Sequence, residues 1–338
     1  MRKLLIVVCA FIVIGCAPAT PTAVPTAIPT VAPTAIIENP PPCWGADLIY
    51  HPRLQKMLLV NCVTNPSQES PLTIWGWDGT QWERVTQGGP PGRILGGAAY
   101  DEGRNVLVLY GGRPAELGAC SQETWEWDGE DWSMKVASPP TACDHVKMVY
   151  DSASGESILF SGLDPDEQPV NETWSWNGEE WKLLSEEGPE SRGHFGFVHD
   201  PNHEQTLLYG GYTNSATDEF WVWREGAWEE IDFPGPGTRS HFGMTYDTTD
   251  NALFLFGGAT SRSTFSSLSN DTLVLSGGNW RELAPASTPS ERGSPSLGYD
   301  PIRQRIVLYG GFDAANNDLD DTWEWDGETW TCLVDCNG

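Results

Sequence analysis

TWEWDGETW, residues 322–330, is a phrase this chain repeats. TWEWDGEDW stands at 124–132 and TWSWNGEEW at 173–181, with TIWGWDGTQW at 73–82. Trp-x-Trp alternation puts two rings on one face of a strand, because side chains alternate with a period of two. Asp-Gly or Asn-Gly directly after it is a strong hairpin signal. Taken as a two-residue turn, Asp128-Gly129 predicts that Trp125 faces Trp132 across the hairpin. The same arithmetic pairs Trp75 with Trp82, Trp174 with Trp181, and Trp323 with Trp330. The fourth unit along the chain keeps the spacing with Trp221 and Trp228 around Arg224-Glu225, and the fifth has Leu273 and Trp280 around Ser-Gly-Gly.

Working outward from these phrases reveals a longer unit of about 50 residues. Each unit opens with an alternating apolar segment ending in an aromatic or His: Tyr50, Tyr100, Tyr150, His199, Tyr246 and Tyr299. A polar turn follows, then a β-rich run closing on glycine, as in VLVLYGG (106–112) and IVLYGG (306–311 with Ile306 first). The step from the aromatic or His to the last glycine is twelve residues in units two to six, so no insertion has entered this hairpin. Each unit is two hairpins, hence four strands, with no helical stretch between them. Six four-stranded sheets in series are best accommodated as blades around an axis. Unit one begins with its first strand and unit six ends with its fourth, so the ring is expected to close by blade-to-blade packing without a blade shared between the termini.

The double glycine after an apolar strand and the tryptophan further downstream resemble the kelch repeat. So do Arg93, Arg192, Arg239 and Arg292, each seven residues before the aromatic or His of its unit. The resemblance spans 43–338. It implies an all-β, six-bladed kelch-type β-propeller with four antiparallel strands per blade, similar to the family that includes galactose oxidase. No positions match that enzyme's copper site with its Tyr–Cys crosslink, and no cofactor is implied.

Residues 1–15 read as a signal segment: Arg2 and Lys3, then an apolar run from Leu4 to Ile14. Eleven apolar residues are too few to span a bilayer, which needs about 20. Val13-Ile14-Gly15-Cys16 resembles a bacterial lipobox, which implies a lipidated Cys16 and an extracytoplasmic, lipid-anchored protein. Residues 16–42 hold this Cys and a tract of Ala, Pro, Thr, Val and Ile whose prolines favour an extended chain of about 3.1 Å per residue. The tract reads as a tether. With 19 basic against 47 acidic residues and a net charge of −28, the chain is a poor partner for nucleic acid or anionic lipid. An extracellular protein or glycan is the expected partner, with the membrane met only through the lipid.

Six cysteines remain after Cys9 and Cys16, an even number suited to an exported protein. Cys43 and Cys62, equidistant from the first hairpin's turn, are expected to pair across it. Cys143 occupies the Arg position of blade three opposite Gly162, so it is expected to pair with Cys120 in the loop of the preceding blade. Cys332 and Cys336 would lie about 13 Å apart in a straight strand, too far for a disulfide. Either the chain turns sharply after Cys332, or one of the two bridges toward blade one.

Of 17 tryptophans, only Trp44 lies outside the repeated hairpins. The rest recur at one register in blade after blade and are expected to pack against neighbouring blades. Trp44 is a candidate ligand contact or a cover for the seam between blades one and six. His145, His194 and His241 sit five residues before the aromatic or His of blades three to five, and with the four arginines they are candidate ligand-binding residues at the channel mouth. Equivalent side chains of adjacent blades are expected to lie well apart. The loops between strands two and three vary most. Their Asp164, Asp166, Glu167, Asp313, Asp318, Asp320 and Asp321 offer carboxylates to Ca²⁺ but lack the order of a dedicated calcium loop. NET (171–173) and NDT (270–272) fit glycosylation sequons. No catalytic motif stands out. A binding module is the expected function, with a carbohydrate-active enzyme resembling the kelch-type sugar mutarotases as the alternative.

Overall fold

Innermost strands Asp47–His51, Gly97–Asp101, Lys147–Asp151, Gly196–Asp200, Gly243–Asp247 and Ser296–Asp300 neighbour one another in a closed circle, the last against the first. From each, the chain builds outward through three more antiparallel strands. A computed structural model describes residues 36–63, 71–114, 119–213, 215–232, 235–260 and 267–336. Among these there is no helix. The molecule is a six-bladed β-propeller with four antiparallel strands per blade. The signal segment, Cys16 and the tether up to residue 35 lie outside the described residues. The face where the innermost strands begin, and where strands two and three are joined, is the loop face. The opposite side is the turn face.

The tryptophan hairpins differ from expectation by two residues. Trp127, not Trp125, pairs with Trp132. The same holds for Trp77 with Trp82, Trp176 with Trp181, and Trp325 with Trp330. The reason is the aspartate side chain: Asp128 Oδ1 accepts the amides of Glu130 and Asp131, both at 2.9 Å, and so builds a four-residue loop. Asp78, Asn177 and Asp326 do the same. True two-residue turns occur only where this residue is missing. They are Glu225-Gly226, rather than Arg224-Glu225, and Gly277-Gly278, all with positive φ.

Each pair of rings packs on the preceding blade. Trp77 and Trp82 meet Val307 and Tyr309 of blade six, while Trp176 and Trp181 meet Val108 and Tyr110 of blade two. Blades four to six repeat the contact with Phe160, Tyr209 and Phe254. Burying one such ring contributes on the order of several kcal/mol, so the interfaces between blades carry much of the core.

A second device links the blades near the axis. The second glycine of each double-glycine step donates its amide to the next blade: Gly112 to the Cys143 carbonyl at 2.7 Å, Gly211 to Arg239 and Gly258 to Arg292, both at 2.9 Å. Gly311 of blade six donates to Cys43 of blade one at 2.9 Å, so the seam is closed by the same bond as the joints after blades two, four and five. The first glycine is required as well. A Cβ on Gly210 would stand 2.5 Å from the Arg239 carbonyl oxygen, and one on Gly310 2.5 Å from that of Cys43.

Among the described residues three disulfides are present, Cys43–Cys62, Cys120–Cys143 and Cys332–Cys336. Asp47 pairs with Val60, a register that sets Gly45 rather than Cys43 opposite Cys62, yet the two Cα atoms come within 5.5 Å. Likewise Cys143 is not opposite Gly162; its amide donates to the Leu163 carbonyl at 2.8 Å. The chain does turn after Cys332, with Asp335 left-handed at φ 52° and the Cα atoms 5.8 Å apart. Residues 36–42, which composition assigns to the tether, are held on the propeller. Ile36 and Ile37 pair with Arg84 and Glu83 as a fifth strand of blade one. The Tyr309 hydroxyl reaches the Pro40 and Pro41 carbonyls at 2.8 and 3.0 Å.

Candidate functional site

The four arginines precede the innermost strands instead of lying on them, and their guanidinium groups are buried, with residue exposures of 1–3 %. Each donates to the first glycine carbonyl of its own blade: Arg93 to Gly111, Arg192 to Gly210, Arg239 to Gly257 and Arg292 to Gly310, at 2.8–3.1 Å. Each also holds a carboxylate of strand three or its approach, namely Glu123, Glu219, Asp271 and Asp321. An indole shares three of these carboxylates, from Trp125, Trp221 and Trp323. Burial alone would raise the carboxyls, but the arginine and neighbouring hydrogen bonds prevail and hold Glu123, Glu219 and Asp271 below the usual carboxylate range. These arginines brace the joint between strands and do not present free guanidinium to a ligand.

The histidines behave differently from expectation. Their backbones are left-handed, with φ 58°, 53° and 57° for His145, His194 and His241, which turns the side chains toward the axis. They touch. His194 stacks on His241 with centroids 3.6 Å apart, and His145 meets His194 edge-on at 5.0 Å. Leu95, Ser294 and Gly45 share the left-handed geometry in the other blades. Backbone hydrogen bonds run between them, from His241 N to His194 O at 3.0 Å, Ser294 N to His241 O at 2.5 Å and Gly45 N to Ser294 O at 2.9 Å. Only about 60 Å³ of cavity remains at this level. Burial first, then the neighbouring imidazoles, push His194 well below its ordinary value and His241 to about 4. Both rings are therefore neutral at pH 7. The trio packs ring on ring, and among the described residues no three His, Cys, Asp or Glu converge to hold a metal.

Trp44 lies over this ring. It stands 6.5 Å from His194 and meets Phe312 edge-on at 6.2 Å, so it spans to blades four and six rather than covering only the seam of one and six. Beside it the loop face opens into a cleft of about 580 Å³. His145 and His194 contribute to its lining, with Tyr212, Asn171, Glu190 and Thr213. Tyr212 is 41 % exposed. Sequence inspection did not place Tyr212 or Asn171 at a site; the first follows a double glycine, where blade six has Phe312, and the second opens a sequon. Asp144, fully buried, holds His145 Nδ1 within 3.1 Å and is itself bonded by Arg113.

Two of the loop carboxylates, Asp164 and Asp313, close their own loops. Asp164 Oδ1 accepts the amides of Asp166 and Gln168, and Asp313 Oδ1 those of Ala315 and Asn317. Glu167 is paired with Arg113 and Asp321 with Arg292. Burial raises Asp318, and burial with the charges of Asp335 and Asp321 raises Asp320. In both sequons the threonine is consumed: Thr173 accepts the Trp228 indole and Thr272 that of Trp330.

The architecture and its axial mouth define the class as a six-bladed β-propeller. Among solved chains the match described as "Structure of YjhT" superposes with a TM-score of 0.69 over 87 % of this chain and 98 % of that one, at 12 % identity. At that identity the likeness carries the fold alone. No family model matches the chain, and no curated protein sequence does.

Proposed function

We propose that this chain is a glycan-binding propeller of kelch type, anchored outside the cytoplasm through a lipidated Cys16 and held off the membrane by its Pro-Thr-Ala tether. The cleft on the loop face is the observation that carries this reading. It combines aromatic rings, Tyr212 and the neutral His194, with the hydrogen-bonding groups of Asn171, Ser191 and Thr213. Flat rings take the apolar face of a sugar, and uncharged donors and acceptors take its hydroxyls. Each buried arginine already holds a glycine carbonyl and a carboxylate, which leaves recognition to the cleft and loops. A second reading has one observation in its favour: His145 and Glu190 line the same cleft, and a base and an acid on one sugar carbon are the minimum for proton transfer. The test is the melting temperature of residues 35–338 against cell-wall fragments and oligosaccharides, with each additive analysed afterwards for product and anomer. A sugar that raises the melting temperature and is recovered unchanged supports binding. A sugar recovered as a different product or anomer overturns it in favour of catalysis, and a panel that shifts nothing overturns both.

A further inference from the structure

The propeller's axis contains a second cavity, of about 440 Å³, lying between the histidine ring and the turn face. Its walls are the innermost strands, with Leu48, Met148, Phe197 and Leu297 among the lining side chains. Toward the turn face it is bordered by Tyr50, Tyr100, Tyr150, His199, Tyr246 and Tyr299, and by the turn residues Glu102, Thr248 and Pro301. At its other end, next to the histidines, are two charges. Lys147 of blade three donates to Asp47 Oδ1 of blade one at 3.0 Å, passing blade two.

These two residues break the repeat. They occupy the first position of the innermost strand, where blades two, four and five have Gly97, Gly196 and Gly243. Glycine there has a packing reason. A Cβ on Gly97 would come within 3.0 Å of the Met148 Cβ of the next blade, and one on Gly243 within 2.9 Å of the Leu297 Cβ. Blades one and three instead carry charged side chains at this narrow level. A half-buried ion pair gives weak stabilisation once desolvation is counted, so packing does not explain the departure. Asp47 is also held from behind: Asn61, 2 % exposed, donates Nδ2 to Asp47 Oδ2 at 3.1 Å. The Asn61 Oδ1 is buried without a partner. A fixed carboxylate and an ammonium beside it share the end of a cavity whose size suits a small molecule.

We infer that the axial cavity is a binding site for a free α-amino acid, with Lys147 taking its carboxylate, Asp47 its ammonium group, and the apolar walls its side chain. The Lys147–Asp47 contact is the same head-to-tail pairing that a zwitterion would make with both residues at once. This site lies on the other side of the histidine ring from the loop-face cleft, and the inference stands independently of the glycan reading.

The experiment is isothermal titration of residues 35–338 with L-leucine, 3-methylbutan-1-amine and 4-methylpentanoate. The last two keep the leucine side chain and lose one charge each. Charged hydrogen bonds of this kind are worth about tenfold or more in affinity apiece. L-leucine is expected to bind at least about tenfold more tightly than either analogue. The double variant Asp47→Asn/Lys147→Met, which leaves no lone charge behind, is expected to lose this preference while Tyr212→Ala keeps it. Equal binding of the three compounds, or no heat with L-leucine at millimolar concentration, overturns the inference. If the double variant does not fold, the analogue comparison on the wild-type chain decides alone.

Discussion

Four of the interblade tryptophans, Trp82, Trp181, Trp228 and Trp330, donate Nε1–H to a threonine of the preceding blade at 2.8–3.0 Å. Trp132 and Trp280 have no such acceptor, because Ile74 and Phe220 stand where the other blades have threonine. Replacing Thr322 by Val keeps the shape and orphans the Trp82 indole, which should cost about 1–3 kcal/mol in urea unfolding. Ile74→Thr supplies Trp132 with an acceptor and should cost far less than Leu72→Thr in the same strand; equal losses would contradict this account of the joint. The histidines add a pH dependence. Burial lowers His51 and His241 to about 4, whereas in the unfolded chain each takes up its proton near pH 6.5. Between those values the unfolded state binds more protons, so stability rises with pH; it is complete above about 6.5 and is lost as pH falls through about 4. Unfolding at pH 5 should show about 2 kcal/mol less stability per histidine than at pH 7, and equal stability at the two would refute the buried neutral state. Of all this, the tryptophans were legible in the sequence. The threonine was written beside them in TWEW and TWSW, but its role depends on the neighbouring blade.

At the scale of elements, the six four-stranded units were readable because apolar alternation, glycine pairs and tryptophan phrases recur in step. The hairpin register was not. Asp-Gly is shared by the two-residue turn and by the longer loop that an aspartate side chain closes, and only the amides of residues two and three further on tell them apart. The end of the tether was misread for a related reason. Ile36-Ile37 and Pro40-Pro41 look like the rest of a Pro-Thr-Ala tract, yet they gain partners in Arg84, Glu83 and Tyr309 that lie far off in sequence. Glu38 pairs with Arg84 at 2.5 Å and Asn39 donates to Asp335 at 3.0 Å, tying blade one to blade six. A chain beginning at Cys43 should therefore lose roughly 2 kcal/mol relative to one beginning at Ala35, a drop of about 4 °C in melting temperature. Identical melting of the two chains would mean that this segment does not brace the seam.

For the whole molecule, closing the circle creates what no single unit shows. It brings His145, His194 and His241 into contact, although their sequence spacing gives no measure of the distance across an axis. It sets Lys147 against Asp47 and gathers Tyr212, Asn171 and Glu190 around one cleft. The candidate arginines were visible as a repeat, and repetition was the clue to their structural use: each meets the same glycine carbonyl in its own blade. Among the residues proposed for recognition, Tyr212 has no identical counterpart in another blade, whereas His194 belongs to the repeated histidine position. The direct measurement is binding of fluorescently labelled residues 35–338 to an array of immobilised oligosaccharides, alongside Tyr212→Ala and Asn171→Ala. The account predicts a defined set of sugars bound by the wild type and lost, by about tenfold or more, in both variants with unchanged melting. Sugars held equally by all three proteins, or by none, would contradict a glycan site in the loop-face cleft.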